Sequence, residues 1–187
     1  SVTEMGEFTF VGCSSLTSLS VNGLGFVTSS VTSMSGMFMD CSNLTTLDVS
    51  GFDTANVTDA GNMFSRCSSL TSLDISGFDL TKVTSVSLMI STCDNLARIK
   101  TPKTMPETMS IDLPSTYMDT KKNQTKQLTK AFCNTTLINV DYLVSEIKLN
   151  ASSLTVHMGK SGQLTATVKQ KKAFEKTLTW TSSNTAV

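Results

Sequence analysis

The chain has 187 residues, 39% of them hydrophobic, with 15 basic and 15 acidic side chains for a formal charge of zero. That size holds one large core or two small ones, and the zero balance argues against nucleic acid as the main partner. Ser and Thr make up about 30% of the sequence, a bias toward exposed strands and turns, and no run approaches the ~18 apolar residues a membrane span needs.

The charge is unevenly spread. Residues 1–97 hold nine acids against two bases, Arg66 and Lys82, a net of −7, whereas residues 98–187 hold thirteen bases against six acids, a net of +7. Such a division predicts two modules. The chain opens at SVTEM without the charged-then-apolar run of a secretory leader, which is expected of an excised or processed piece.

From the N-terminus onward the sequence repeats. VTSMSGMFMDCSNLTTLDVSGFDTAN (31–56) aligns with VTDAGNMFSRCSSLTSLDISGFDLTK (57–82) and VTSVSLMISTCDNLARIKTP (83–102), a period of 26 residues. A looser copy precedes them, with Phe10, Cys13, Leu16, Leu19 and Val21 in register and two extra residues before Val31, so four repeats are expected. Val31, Met34, Met37, Phe38 and Cys41 recur at three to four residues, the spacing of a short helix with Thr32 as its N-cap. Leu47 and Val49 then alternate with Thr46, Asp48 and Ser50, the two-residue period of a strand with one wet face. Gly51 and Gly77, in the SGFD segments, turn the chain onward.

The expected fold is therefore an α/β solenoid, a parallel sheet with short helices, of about four repeats of ~26 residues over residues 1–102. Its exposed strand face is the candidate binding face. Alternation places Ser18, Ser20 and Asn22 there from the first repeat, Thr46, Asp48 and Ser50 from the second, Ser72, Asp74 and Ser76 from the third, and Arg98 and Lys100 from the fourth.

The pattern F-x-x-C-x-x-L-x-x-L-x-V/I-S, with V-T-x-M-x-x-M-F and L-D-x-S-x-F-D, resembles the BspA-like leucine-rich repeats of bacterial surface proteins over residues 1–102. That resemblance implies a leucine-rich-repeat solenoid, export, surface display, and adhesion to a host surface or extracellular-matrix protein or glycan.

After residue 102 the repeat is lost. Residues 103–143 are expected to form a C-terminal cap and linker, with Ile111, Leu113, Tyr117, Leu128 and Phe132 covering the end of the sheet. From Val144 the chain alternates in short runs: Ile147 and Leu149, Leu154 and Val156, Leu164, Ala166 and Val168, then Leu178 and Trp180. SLTVHMGKSGQLTATV and LTWTSSNTAV resemble the first strands of group 2 bacterial immunoglobulin-like domains. Residues 144–187 are thus expected to be the N-terminal part of an all-β immunoglobulin-like module.

The five cysteines invite a disulfide or metal reading in an exported protein. However, Cys13, Cys41, Cys67 and Cys93 share one repeat position, which favours a ladder of buried structural thiols over a disulfide. Clustered zinc spacing is absent, and Cys133 belongs with the cap. The only histidine, His157, falls in an expected strand, and the hydrolase, metalloprotease and phosphate-loop motifs are missing. Catalytic residues, cofactors and metals are therefore not expected. Asp48 with Asp74, and Asp53 with Asp79, stack from repeat to repeat; hydroxyls surround them, so solvated acids are preferred to a calcium site. Two functions remain open: an adhesin-like binding module, and a stalk presenting a distal domain. Of the residue types that dominate protein hot spots the face carries only Arg98, which favours weak multivalent contact or a spacer.

Overall fold

A computed structural model describes residues 6–23, 27–149 and 166–170. The chain divides into two units, Ser1–Val140 and Asp141–Val187. In the first, four short strands occupy the repeat positions that alternate in the sequence: β1 (Ser18–Ser20), β2 (Thr46–Asp48), β3 (Ser72–Asp74) and β4 (Arg98–Lys100). β1 pairs with β2 and β3 with β4, both in parallel, with Leu19 beside Leu47 and Leu73 beside Ile99.

The expected helices are absent, and the α/β leucine-rich-repeat solenoid is corrected accordingly. Helical geometry among the described residues is confined to two three-residue 3-10 turns, Lys130–Phe132 and Val140–Tyr142, both outside the repeats. Met34, Met37, Phe38 and Cys41 lie instead on a coil of successive tight turns. Two residues four apart have positive φ in each copy: Gly36 and Asp40, Asn62 and Arg66, Leu88 and Thr92. An α-helix has no such residues. The backbone donors alternate as well. Met37, Met39 and Cys41 donate three residues back within the turn, whereas Gly36, Phe38 and Asp40 donate to Gly61, Met63 and Ser65 in the next repeat at 2.8–3.0 Å. Thr32 is therefore no helix cap; its carbonyl accepts from Thr58 and Asp59 of the following repeat.

This coil buries the same residues a helix would have buried. Met34, Met37, Phe38 and Cys41, and their counterparts Ala60, Met63, Phe64 and Cys67, are almost wholly inaccessible. Phe10, Phe38 and Phe64 stack from repeat to repeat with ring centroids 5.4 and 5.8 Å apart and planes within 5°. A second stack joins Phe52 to Phe78. Position 36 favours glycine: its φ is +61°, and an added Cβ would lie 2.4 Å from the exposed Phe8 ring, which would have to move.

The parallel sheet is also interrupted, contrary to the expected continuous one. No ladder joins β2 to β3. Asp48 and Asp74 occupy equivalent positions on those two strands, and like charges on neighbouring strands oppose pairing. Beyond β4 the cap completes a mixed sheet of order β3-β4-β7-β5-β6, where β5 is Ile111–Met118, β6 Gln124–Leu128 and β7 Thr136–Asn139. β7 lies antiparallel on β4, with Leu137 beside Ile99. Ile111, Leu113, Tyr117 and Leu128 are buried in the core and Phe132 is partly so. The Tyr117 hydroxyl donates to the Leu96 carbonyl at 2.6 Å, pinning the cap to the last repeat.

In the second unit β8 (Val144–Leu149) pairs antiparallel with β9 (Ala166–Gln170). The expected strands around Leu154, Val156, Leu178 and Trp180, and His157 itself, lie outside the described residues.

Candidate functional site

The strand face is built by alternation. Leu47, Leu73 and Ile99 point inward, so their neighbours point to solvent. Ser18, Ser20, Asn22, Thr46, Ser50, Ser72, Asp74, Ser76, Arg98 and Lys100 are exposed and Asp48 is half-buried. The structure therefore places all eleven residues of the expected face on the wet side of their strands or just beyond the strand ends.

Two carboxylates organise this face, each through the same local motif. Asp48 Oδ1 accepts from the Ser50 amide and hydroxyl, at 3.0 and 2.7 Å, and Asp74 Oδ1 accepts from the same two groups of Ser76, at 3.1 and 2.7 Å. Their second oxygens turn apart. Asp48 Oδ2 accepts from Ser20 on β1 at 2.9 Å, and Asp74 Oδ2 from Lys100 on β4 at 2.7 Å. The row thus reads Ser20 to Asp48 on one side of the sheet interruption and Lys100 to Asp74 on the other.

Hydrogen bonds from Ser50 and Ser20 hold Asp48 below the usual carboxylate range. For Asp74, desolvation pushes upward, yet the bonds from Lys100 and Ser76 outweigh it and the net displacement is downward. Both are anionic at neutral pH. Beside Asp48 lies a shallow groove of about 320 Å³ lined by Ser18, Leu19, Ser20, Thr46, Leu47, Asp48 and Ser72. Its walls are hydroxyls, one carboxylate and two leucine edges.

A second depression of about 400 Å³ joins Ser76 and Lys100 to Thr101, Thr120, Asn134, Thr135 and Thr136. Sequence reasoning missed it because the cap residues reach β4 only through the antiparallel return of β7, which no local pattern encodes.

The thiols form a hydrogen-bonded column. Cys41, Cys67 and Cys93 are free and buried, and each Sγ donates to the Phe carbonyl one repeat earlier, at Phe10, Phe38 and Phe64, over 3.1–3.2 Å. Desolvation pushes all three upward, Cys93 to about 12, so they stay protonated and poorly nucleophilic. Cys13 departs from the expected buried ladder: it is exposed. Among the described residues no group of three or more His, Cys, Asp or Glu side chains could hold a metal ion, and no helix is long and apolar enough to cross a membrane.

Residues 7–108 match the family described as "Mycoplasma protein of unknown function, DUF285". No curated protein and no solved structure matches the chain.

Proposed function

The chain belongs to the DUF285 family, which is found in surface repeat proteins, and on that premise we propose that it is a non-enzymatic surface or secreted bacterial protein that binds a polar partner through its stacked strands. The partner class is a host surface or extracellular-matrix protein or glycan. The BspA-like resemblance of residues 1–102 and the immunoglobulin-like resemblance of residues 144–187 belong to this reading and point the same way.

The observation that carries it is the exposed strand face, where hydroxyls and the anionic Asp48 carboxylate line an open groove of about 320 Å³, with the Asp74 carboxylate at the equivalent position on β3. Such a surface offers many shallow hydrogen bonds and one region of negative charge, suited to weak contacts multiplied by display. A second reading, a stalk that presents a distal domain, is favoured by the internal satisfaction of those carboxylates: Asp48 takes its bonds from Ser20 and Ser50, and Asp74 from Ser76 and Lys100.

The test is binding of the multivalently displayed chain to a panel of extracellular-matrix proteins and glycans at physiological salt, beside the Asp48→Lys, Asp74→Lys double variant. Saturable binding lost in the variant supports recognition by the strand face. Silence across the panel, or binding unchanged in the variant, transfers the function to the stalk reading or to another surface.

A further inference from the structure

Of the three junctions between successive repeat strands, the outer two carry the same flanking bonds and the middle one lacks them. Beside the β1–β2 ladder, Val21 N–H donates to the Asp48 carbonyl at 3.0 Å and Thr45 N–H to the Thr17 carbonyl at 2.9 Å. Beside the β3–β4 ladder, Ile75 N–H donates to the Lys100 carbonyl and Ala97 N–H to the Thr71 carbonyl, at the same two distances. The corresponding groups between β2 and β3 are Val49 N–H with the Asp74 carbonyl and Thr71 N–H with the Thr45 carbonyl. Neither pair is bonded, and no ladder joins the two strands. The opening is local. Before and after it the same repeats are tied together, by Ser69 N–H to the Ser42 carbonyl at 3.2 Å and by Asp79 N–H to Thr54 Oγ1 at 2.8 Å, and the turn coil joins them through Phe38 N–H to the Met63 carbonyl at 2.9 Å.

Side-chain size does not account for this seam. Thr46, Leu47, Asp48, Val49 and Ser50 correspond to Ser72, Leu73, Asp74, Ile75 and Ser76, the same kind of residue at every position. The junctions differ in what stands opposite the aspartate. Ser20 pairs with Asp48 and Lys100 with Asp74, and both donate to it. At the seam, Asp48 and Asp74 occupy equivalent positions on the two strands. The charged side chains on this face of the four strands are Asp48, Asp74, Arg98 and Lys100, with β1 adding only Ser18 and Ser20, so the seam alone of the three junctions sets like charges against each other. The influence of Asp74 on Asp48 is repulsive, and each carboxylate turns its second oxygen to the outer strand, away from the other.

We propose that the seam is a charge-held joint: the two carboxylates keep β2 and β3 apart, and neutralising Asp48 joins them into one sheet of order β1-β2-β3-β4-β7-β5-β6. On closing, the Val49 and Thr71 amides gain the acceptors their counterparts already have. The groove beside Asp48 has Thr46 on one bank and Ser72 on the other, so closure narrows it. That consequence for the groove rests on the binding reading above, whereas the joint itself is read without any ligand.

The test is amide hydrogen exchange, followed by NMR on the full 187-residue chain at neutral pH. Val21, Thr45, Ile75 and Ala97 are the bonded references. In the unaltered chain Val49 and Thr71 should exchange about tenfold or more faster than these four after correction for sequence, as locally open amides do. In Asp48→Asn both should slow to the range of the references, while Asp48→Glu, which keeps the charge, leaves them fast. Ser20→Asp sets a like charge opposite Asp48 on β1 and should open a second seam, seen as faster exchange of Val21 and Thr45, while Ser20→Ala leaves that junction closed. Circular dichroism verifies the fold of each variant. Protection of Val49 and Thr71 in the unaltered chain overturns the proposal, as does continued fast exchange in Asp48→Asn, equal slowing in Asp48→Glu, or a β1–β2 junction indifferent to Ser20→Asp.

Discussion

Replacing Thr92 with glycine separates a turn coil from a helix by the sign of its effect. Thr92 is exposed and held at φ +58°. Left-handed backbone costs an L-residue roughly 1–2 kcal/mol, and a β-branched side chain sits at the unfavourable end. Glycine removes that cost but returns roughly 0.4–1 kcal/mol through the greater freedom of the unfolded chain. The weak contact of the Thr92 hydroxyl with Ser91, at 3.4 Å, is a small loss. The net expectation is a stabilisation of about 0.5–1 kcal/mol, obtained from these two ranges. Ser91, whose φ is not positive, is the control: glycine there should destabilise by roughly 0.5–1 kcal/mol. Urea unfolding followed by circular dichroism, with an unchanged slope, reads both shifts. In a helix both substitutions destabilise, so a loss of stability for Thr92→Gly would refute the turn-coil account.

Two further outcomes follow from the side chains. In the dilute native protein Cys13 should react first with a thiol reagent at pH 8, while Cys41, Cys67 and Cys93 wait for denaturant; simultaneous reaction of all four would contradict the buried column. Asp74 is depressed in the fold, so its stabilising contribution is complete above the ordinary carboxylate pKa and is lost as pH falls through the lower folded value. Lys100→Met should raise the pKa of Asp74, measured by carboxyl NMR titration, without moving Asp48, whose own depression comes from Ser50 and Ser20; equal movement of both would sink the assignment of partners.

Much of the stack was legible in the chain. The 26-residue period, the inward residues Met37, Phe38, Cys41, Leu44 and Leu47, and the wet strand face were read from spacing alone, because burial follows periodicity whatever backbone supports it. The helix was a misreading of that spacing. A residue set three to four apart lies on one side of a helix and on one side of a coil of turns alike. What distinguishes the two is the left-handed residue every fourth position, signalled by turn formers at Gly36, Asp40 and Asn62. Arg66, Leu88 and Thr92 occupy the same positions and obscure the signal.

By itself, then, the sequence determined the unit, its length, its buried side and the shared position of its cysteines, since these depend on residue order within one repeat. Only the tertiary structure decided where backbone amides find acceptors, whether β2 joins β3 and how β7 returns against β4. Each of these pairs groups from different repeats or from repeat and cap, and hydrogen bonds of that kind are set by stacking rather than by local pattern.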